Sequence, residues 1–167
     1  YQMGKKSEYP EGMFDQTDRV IYDLKNNPYS RRILTNLYCH EDLHGMHLYP
    51  CAYGTVWNVT HPENSPAPVL NLMLTQRSQD VLAANNWNTV QYALLLMMMA
   101  QVCGMIPGEL LHVIADAHIY DRHADTVRGL IARPVHPAPS VTLDPEIKDF
   151  YDFTPESIKV ENYETEP

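Results

Sequence analysis

The chain has 167 residues, and its 12 Lys and Arg against 21 Asp and Glu give a formal net charge of −9. That length suits one domain with a real core, and a 44% hydrophobic fraction with 20% charged residues argues against a disordered chain. The acidic balance disfavours a broad nucleic-acid or membrane-binding face, because such faces carry clustered Lys and Arg. We therefore expect no DNA or membrane partner, and any anionic ligand must be held by a local basic cluster.

The cysteine count and the apolar runs point to a cytoplasmic protein. Three cysteines are an odd, low number, which fits a reducing compartment better than a disulfide framework. The longest apolar run covers residues 92–100, well short of the roughly 20 residues that span a bilayer. The sequence begins with Tyr1 rather than Met, so we expect residues 1–167 to be one N-terminally incomplete domain.

The first half of the chain shows one helix and three strands. Residues 15–26 carry apolar side chains at helical spacing, and Pro28 follows the run, which predicts a short amphipathic helix. β-Branched and aromatic residues predict strands over 33–38, 48–59 and 69–76,. A Pro-rich loop over 61–68 separates the last two strands,.

The second half is organised around the longest predicted helix, residues 88–103. Its middle is apolar on every face, which predicts burial on all sides, and Gly104 suits the position just after its end. Asn88, with Gln91 three residues later, has the spacing of an N-cap with its capping-box partner. A buried strand over 110–115, a polar helix over 121–132, a proline-rich connector over 134–139 and strands over 140–143 and 157–160 follow.

These elements predict an α+β fold with a mixed β-sheet packed on a long buried central helix and flanking helices. Among the cysteines, Cys51 is the strongest nucleophile candidate, because it follows Pro50 in a strand-like stretch. Cys103 ends the apolar helix and is most simply a core residue, whereas Cys39 is ambiguous. The eight histidines show no reliable metal-ligand spacing, so no metal site is predicted.

Two basic clusters could hold a small anion. One is the pair Arg31 and Arg32, and the other is the segment 76–80, which contains Arg77 next to Ser78. Guanidinium and hydroxyl groups together make a phosphate cradle, although a solvated salt-bridge site explains the same residues.

A third candidate is the alternating trio that follows the predicted strand over 110–115. Continuation of that strand would place Asp116, His118 and Tyr120 on one side. Such convergent polar groups are more often a site than part of a core.

Seven motifs in order resemble the thymidylate synthase family, folate-dependent enzymes that methylate dUMP. The motifs cover nearly the whole chain: residues 1–6, 30–32, 48–51, 76–80, 87–88, 116–120 and 145–153. The resemblance implies that the Cys51 thiolate adds to the pyrimidine at C6 and makes C5 a carbon nucleophile. C5 then attacks the methylene group of 5,10-methylenetetrahydrofolate, and proton loss and hydride transfer yield dTMP and dihydrofolate.

The resemblance also implies the phosphate site. Arg77 and Ser78 would bind the dUMP phosphate, and the positive charge of Arg77 would favour the thiolate of Cys51. Arg31 and Arg32 would reach the phosphate of the other subunit, which implies a symmetric homodimer with two composite sites.

The remaining implied roles concern the base, the ribose and the folate. Asn88 would pair with the uracil edge, with Gln76 as a supporting residue. His118 and Tyr120 would bind the ribose 3′-hydroxyl, and Asp80 would meet the folate pterin.

The chain also departs from the family pattern. Ala84 stands where a Gly is usual, and residues 114–115 are Ile-Ala where a Gly-Gly pair often precedes the aspartate, so ligand fit is expected to differ. The family's acid/base Glu, folate-pocket Trp residues and closing tail are not matched, and we expect this polypeptide alone to be nearly inactive. Two alternatives stay open: a pyrimidine nucleotide hydroxymethylase on the same scaffold, and a truncated non-catalytic module for nucleotide binding or dimerisation.

Overall fold

The computed structural model describes residues 15–165, and a four-stranded mixed sheet lies at the centre of that region. Its strands, in spatial order, are β1 (Leu34–Asn36), β2 (Ala52–Thr60), β3 (Val69–Gln76) and β5 (Ile106–Ile114). β2 is antiparallel to both β1 and β3, whereas β3 and β5 are parallel. Parallel neighbours need a long crossover connection, and the longest helix of the chain occurs in this one.

Two small sheets and three helices complete the described fold. β4 (Gln79–Asp80) pairs in parallel with β6 (Ala117–His118), and β7 (Ser140–Leu143) pairs antiparallel with β8 (Ile158–Glu161). The α-helices are α1 (Gln16–Asn26), α2 (Asn85–Val102) and α3 (Ala124–Ile131). Short 3₁₀ turns occupy Leu43–Gly45, Asp121–His123, Phe150–Asp152 and Pro155–Ser157. The predicted α+β architecture is confirmed.

The core lies between the central sheet and the helices α1 and α2. Alternation along β3 buries Leu70, Leu72 and Leu74 on one face, as the two-residue period of a strand requires. The same cluster includes residues from both helices, from the flanking strand β2 and from the position just before β1: Val20, Leu24, Ile33, Trp57, Val59, Tyr92, Leu96, Met99 and Ala100. Burial of this apolar surface is the main stabilising contribution to the fold.

Helix α1 begins where the sequence provides a cap. Asp15 has extended backbone geometry, and its side-chain oxygen accepts a hydrogen bond from the amide of Thr17 at 2.8 Å. This bond satisfies one of the backbone donors that the first helical turn leaves unpaired. The helix then buries Val20 and Leu24 and ends before Pro28, which confirms the predicted helix over 15–26.

Several predicted boundaries need correction. Residues 48–51 are a loop rather than the start of a strand, because β2 begins at Ala52 and pairs with Gln76 only from there. The predicted strand over 33–38 pairs with β2 over Leu34–Asn36 alone. The strand over 69–76 and the strand over 140–143 are confirmed residue for residue.

The cap interpretation of Asn88 is wrong. Helix α2 begins three residues earlier, at Asn85, and the N-cap position is occupied by Ala84, whose side chain makes no capping bond. Asn88 lies within the helix, where its backbone amide donates to the Ala84 carbonyl at 3.0 Å. Its side chain is therefore available for another purpose. At the other end, Gly104 has φ +67°, as predicted for a residue that follows a helix.

The prediction that α2 is buried on every side is wrong for the described part of the chain. Leu96, Met99 and Ala100 are buried, whereas Leu94, Met97 and Met98 are only half-buried against residues 15–165. No helix in that part of the chain combines the length and apolar character needed to cross a membrane.

The outer face of the central sheet is open, which corrects the predicted burial of residues 110–115. β5 is longer than predicted and forms one edge of the sheet, and Leu111 and Val113 on it are 59% and 41% exposed. The pairing register places Leu34, Val56, Met73 and Leu111 in one row across all four strands. We call this row and its surroundings the open sheet face.

Candidate active site

Cys51 is the residue just before β2, and its half-buried thiol lies beside an arginine. The thiol sulfur is 3.8 Å from Nη2 of Arg77 and 4.0 Å from the carbonyl oxygen of Tyr49. The backbone brings the two residues together, because the amide of Arg77 donates to the carbonyl of Cys51 at 2.9 Å. The structure thus places the positive charge of Arg77 in contact with the sulfur of Cys51.

The guanidinium of Arg77 is held in place by the loop that carries the thiol. Its Nε donates to the carbonyl of Pro50 at 3.0 Å, and its Nη2 donates to the carbonyl of Tyr49 at 2.8 Å. Charge-assisted bonds of this kind fix the orientation of the planar guanidinium group. Its Nη1 makes no hydrogen bond within residues 15–165, so a pair of N–H donors remains for an anion.

Gln76 lies at the end of β3 and is almost fully buried, with 1% exposure. Its Nε2 is 2.8 Å from the Ser78 carbonyl and 3.3 Å from Oδ1 of Asn88, and its Oε1 is 2.8 Å from Nε2 of His112. Gln76 is therefore hydrogen-bonded to Asn88 and also to His112, a residue that the sequence analysis did not single out. Burial lowers the pKa of His112 below its ordinary value, so the ring is neutral near pH 7.

Asp80 and His118 are brought together by the parallel pairing of β4 with β6, in which they are direct partners. One oxygen of Asp80, Oδ1, accepts from the amides of Leu82 and Ala83 at 3.1 and 3.0 Å. That carboxylate therefore caps the turn that leads into α2. Its second oxygen makes no hydrogen bond within the described chain and is available to a ligand.

The predicted continuation of the strand through residues 116–120 is wrong, because β5 ends at Ile114, but the predicted trio is adjacent in space. Nδ1 of His118 is 3.3 Å from Oδ1 of Asp116, and the rings of His118 and Tyr120 meet edge to face with centroids 5.2 Å apart. Tyr120 also has the guanidinium carbon of Arg122 4.9 Å from its ring centroid. The two ring side chains are thus held as one unit at the edge of the small parallel sheet.

Arg31 and Arg32 do not join this cluster within the chain. Both are exposed in the turn between α1 and β1, and neither forms an ion pair with residues 15–165. Both guanidinium groups can therefore bind an anionic group that is not part of residues 15–165.

A cavity of about 400 Å³ borders the site and was not anticipated from the sequence. It is lined by Asn36, Tyr38, His40, Tyr53 and Arg77, with the rings of Tyr38 and Tyr53 edge to face at 6.1 Å. The only sequence signal was the presence of aromatic residues in both flanking segments, which is equally typical of strand packing.

The other cysteines differ from Cys51 in their surroundings. Burial raises the pKa of Cys103 to about 11, so its thiol stays protonated, and Cys39 is half-buried in the loop after β1. None of the three cysteines forms a disulfide. Within residues 15–165, no group of three or more His, Cys, Asp or Glu side chains lies close enough together to hold a metal ion.

The departures at Ala84 and at residues 114–115 do not strain the backbone. Among the described non-glycine residues, only Asn162 has a positive φ. The added Cβ atoms therefore occupy conformations that any L-residue adopts.

Comparison with known proteins shows the family of this chain. The family model described as Thymidylate synthase matches residues 1–167. The thymidylate synthase of Bacillus atrophaeus is 41% identical over 164 residues, which cover 98% of this chain and 70% of the relative. That of Clostridium beijerinckii is 44% identical over 152 residues, covering 90% of this chain and 56% of the relative.

A solved structure shows the same fold. The thermostable thymidylate synthase A from Bacillus subtilis superposes with a TM-score of 0.86 at 41% identity, covering 97% of this chain and 56% of that one. The matches identify the chain as part of an enzyme of the methyltransferase class. It belongs to the thymidylate synthase family, and it spans about 56–70% of the relatives described above.

Proposed function

We propose that this chain carries the nucleotide site of a thymidylate synthase, which reductively methylates dUMP to dTMP. The observation that carries the proposal is the contact between Cys51 and Arg77. The guanidinium is tied to the carbonyls of Tyr49 and Pro50 and lies 3.8 Å from the thiol sulfur. A nucleophile with a fixed cation beside it is what addition of a thiolate to the pyrimidine C6 requires.

The phosphate of dUMP binds at the donors that the structure leaves free. Arg77 offers its Nη1, and the half-buried Ser78 offers its hydroxyl, which makes no hydrogen bond within residues 15–165. Arg31 and Arg32 of a second copy supply further positive charge. This arrangement satisfies the charge of a phosphate dianion in a chain whose net charge is −9,.

The nucleoside is oriented by side chains on α2 and at β6. Asn88 contacts the uracil edge, and His118 and Tyr120 bind the ribose 3′-hydroxyl. Addition of Cys51 to C6 then places negative charge on the pyrimidine and makes C5 nucleophilic.

The folate co-substrate, 5,10-methylenetetrahydrofolate, supplies the methylene carbon and the hydride and leaves as dihydrofolate. Asp80 is the residue of this chain that meets it, because its second carboxylate oxygen is free for a donor on the pterin ring. No metal is required for this chemistry. Three cysteines without a disulfide are consistent with the cytoplasmic location that we propose.

The covalent step has a direct test. Incubation with 5-fluoro-dUMP and 5,10-methylenetetrahydrofolate should add the mass of both ligands to the chain, with the modification at Cys51. The low turnover expected of this polypeptide does not prevent the adduct, because the adduct forms before proton loss from C5. Cys51→Ser should abolish the adduct, whereas the matched Cys39→Ser variant should retain it. Binding of dUMP by calorimetry without an adduct in the unsubstituted chain would instead favour a non-catalytic module and contradict the proposal.

We also propose that the working unit is a homodimer joined through the open sheet face. The row Leu34, Val56, Met73 and Leu111 leaves apolar side chains uncovered by residues 15–165, and a sheet face of this kind is stable when a second layer covers it. A symmetric partner also allows Arg31 and Arg32 to complete a site on the other copy.

Analytical ultracentrifugation tests the dimer. The unsubstituted chain should sediment as a dimer, and Leu111→Glu should dissociate it, because a charge would be buried at the interface. The matched Ile131→Glu variant changes a residue on α3 that is 79% exposed and should remain dimeric. A monomeric parent, or a dimeric Leu111→Glu variant, would contradict this assembly.

A further inference from the structure

Gln76 is at the centre of a hydrogen-bonded network that includes one residue to which no role has been given, His112. The Gln76 amide is buried, and all three of its contacts lie within hydrogen-bond distance: the Ser78 carbonyl, Oδ1 of Asn88 and Nε2 of His112. His112 is 36 residues distant in sequence. It reaches Gln76 because β5 runs parallel to β3.

One backbone carbonyl determines the direction of every bond in this network. The Ser78 carbonyl can only accept, so the Gln76 group beside it at 2.8 Å must be the NH₂ group,. The opposite atom of Gln76 is then the oxygen, and His112 must donate to it from Nε2. Likewise the Asn88 atom that faces the Gln76 NH₂ group must be its oxygen.

The consequence is that the NH₂ group of Asn88 points away from Gln76 and is left for the ligand. An NH₂ donor matches the C4 carbonyl of uracil, whereas the same position in cytosine carries an amino group and would leave two donors facing each other. Burial keeps His112 neutral, so its ring has a single N–H. The hydrogen bond to Gln76 places that proton on Nε2.

We propose that His112 is a positioning residue for pyrimidine selectivity: by donating to Gln76 it holds the Asn88 amide in the orientation that accepts uracil and rejects cytosine. The inference rests on the proposed function, because it concerns the base of the same nucleotide. His112 does not touch the ligand itself. Without its donor, the Gln76 oxygen is buried and unpaired, the side chain loosens, and Asn88 becomes free to turn over.

The experiment compares three variants of the full 167-residue chain. His112→Phe keeps a ring and removes the donor, and His112→Gln returns an N–H donor at a similar reach. His136→Phe is the matched control, since His136 contacts Glu164 at 3.1 Å and takes no part in the network. The dissociation constants of dUMP and dCMP are measured by calorimetry. The side-chain amide signals of Gln76 and Asn88 are followed by ¹⁵N NMR without ligand.

His112→Phe should reduce the preference for dUMP over dCMP by about three- to tenfold, the factor that one net hydrogen bond is worth. His112→Gln should restore most of that preference, and His136→Phe should leave it unchanged. In the ligand-free NMR spectra, His112→Phe should shift both amide signals toward those of solvent-exposed amides. Should His112→Phe fail to fold, His112→Asn replaces it, because its shorter side chain ends before the Gln76 oxygen.

Failure of the inference about His112 and failure of the proposed function give different results. If His112→Phe lowers the melting temperature but leaves the amide signals and the nucleotide preference unchanged, His112 is only structural and the inference is overturned. If the unsubstituted chain binds neither nucleotide, the proposed function fails. The amide signals then still decide whether His112 orients Gln76 and Asn88.

Discussion

The strongest test of the candidate active site is the removal of the Arg77 guanidinium. Arg77→Met preserves much of the side-chain length and removes both the charge beside Cys51 and the two bonds to the carbonyls of Tyr49 and Pro50. Arg77→Lys restores a charge without the planar pair of donors. The two variants therefore separate the effect of the positive charge on the reactivity of Cys51 from the effect of the guanidinium hydrogen bonds.

The size of the electrostatic effect of Arg77 on Cys51 follows from the 3.8 Å separation between Nη2 and the sulfur. Coulomb's law gives about 1 kcal/mol for a unit charge pair at that distance in water and about 4 kcal/mol at an effective dielectric constant of about 20. Because Cys51 and Arg77 are half-buried, solvent screening favours the lower part of this range, about 1–2 kcal/mol. Loss of this attraction for negative charge on the sulfur should slow reactions of the Cys51 thiol about five- to thirtyfold in Arg77→Met.

The assay is the rate of alkylation of Cys51 by iodoacetamide, followed by peptide mass spectrometry. Cys103 is an internal reference, because burial raises its pKa to about 11 and it should react slowly in every variant. Arg128→Met is the matched control, since it removes one positive charge from an exposed ion pair with Asp125 on α3. Rates at alkaline pH report accessibility, since most exposed thiols are then ionised.

Arg77→Met should react about five- to thirtyfold more slowly than the parent at pH 7 and at a similar rate at alkaline pH, whereas Arg128→Met should match the parent throughout. Arg77→Lys should lie in between. If Arg77→Met reacts at the parental rate at pH 7, the charge of Arg77 does not contribute to the reactivity of Cys51. The electrostatic argument for Cys51 as the nucleophile would then be refuted.

Two further predictions concern stability. Gly108→Ala should lower the free energy of unfolding in urea by about 1–3 kcal/mol, because a Cβ there would lie 2.6 Å from Cγ1 of Val69 and 2.9 Å from the Leu70 carbonyl. The control Gly45→Ala places a Cβ in open space and should lower the free energy of unfolding much less. Equal losses of stability in the two variants would contradict the packing argument. Asp15→Ala should cost about 1 kcal/mol of stability through loss of the helix cap. Partial burial opposes ionisation of Asp15, but hydrogen bonds from Thr17 and Asp18 outweigh it and hold the pKa of Asp15 below its ordinary value. The stability that the ionised side chain contributes is therefore present above the unfolded-state pKa and is lost as the pH falls through the folded-state pKa. Melting temperatures measured against pH should show this loss in the parent and not in Asp15→Asn, and identical profiles would contradict the prediction.

Much of the architecture could be predicted from local pattern. The strand over 69–76 was predicted residue for residue, because its alternation is regular and a proline-rich loop precedes it,. Helix α1 was equally clear from its apolar spacing and the proline after it. The residue types around Cys51 and Arg77 left a solvated salt-bridge site open, and the resemblance to the family indicated the kind of chemistry.

Local pattern did not determine which side chains meet. Spacing alone favoured Asn88 as a cap, because a cap is judged from the next few residues, whereas the family resemblance favoured contact with the uracil edge. The start of α2 at Asn85 shows that the Asn88 side chain does not cap the helix. Leu111 is exposed because no layer within residues 15–165 covers the outer face of the sheet, which hydrophobicity cannot reveal.

The contact of Gln76 with His112 arises only from the parallel register of β3 and β5. The sequence by itself therefore determined the elements and the chemical groups, because propensity and periodicity act over neighbouring residues. The tertiary structure alone decided how those groups are oriented and paired, because strand pairing brings together residues far apart in the chain.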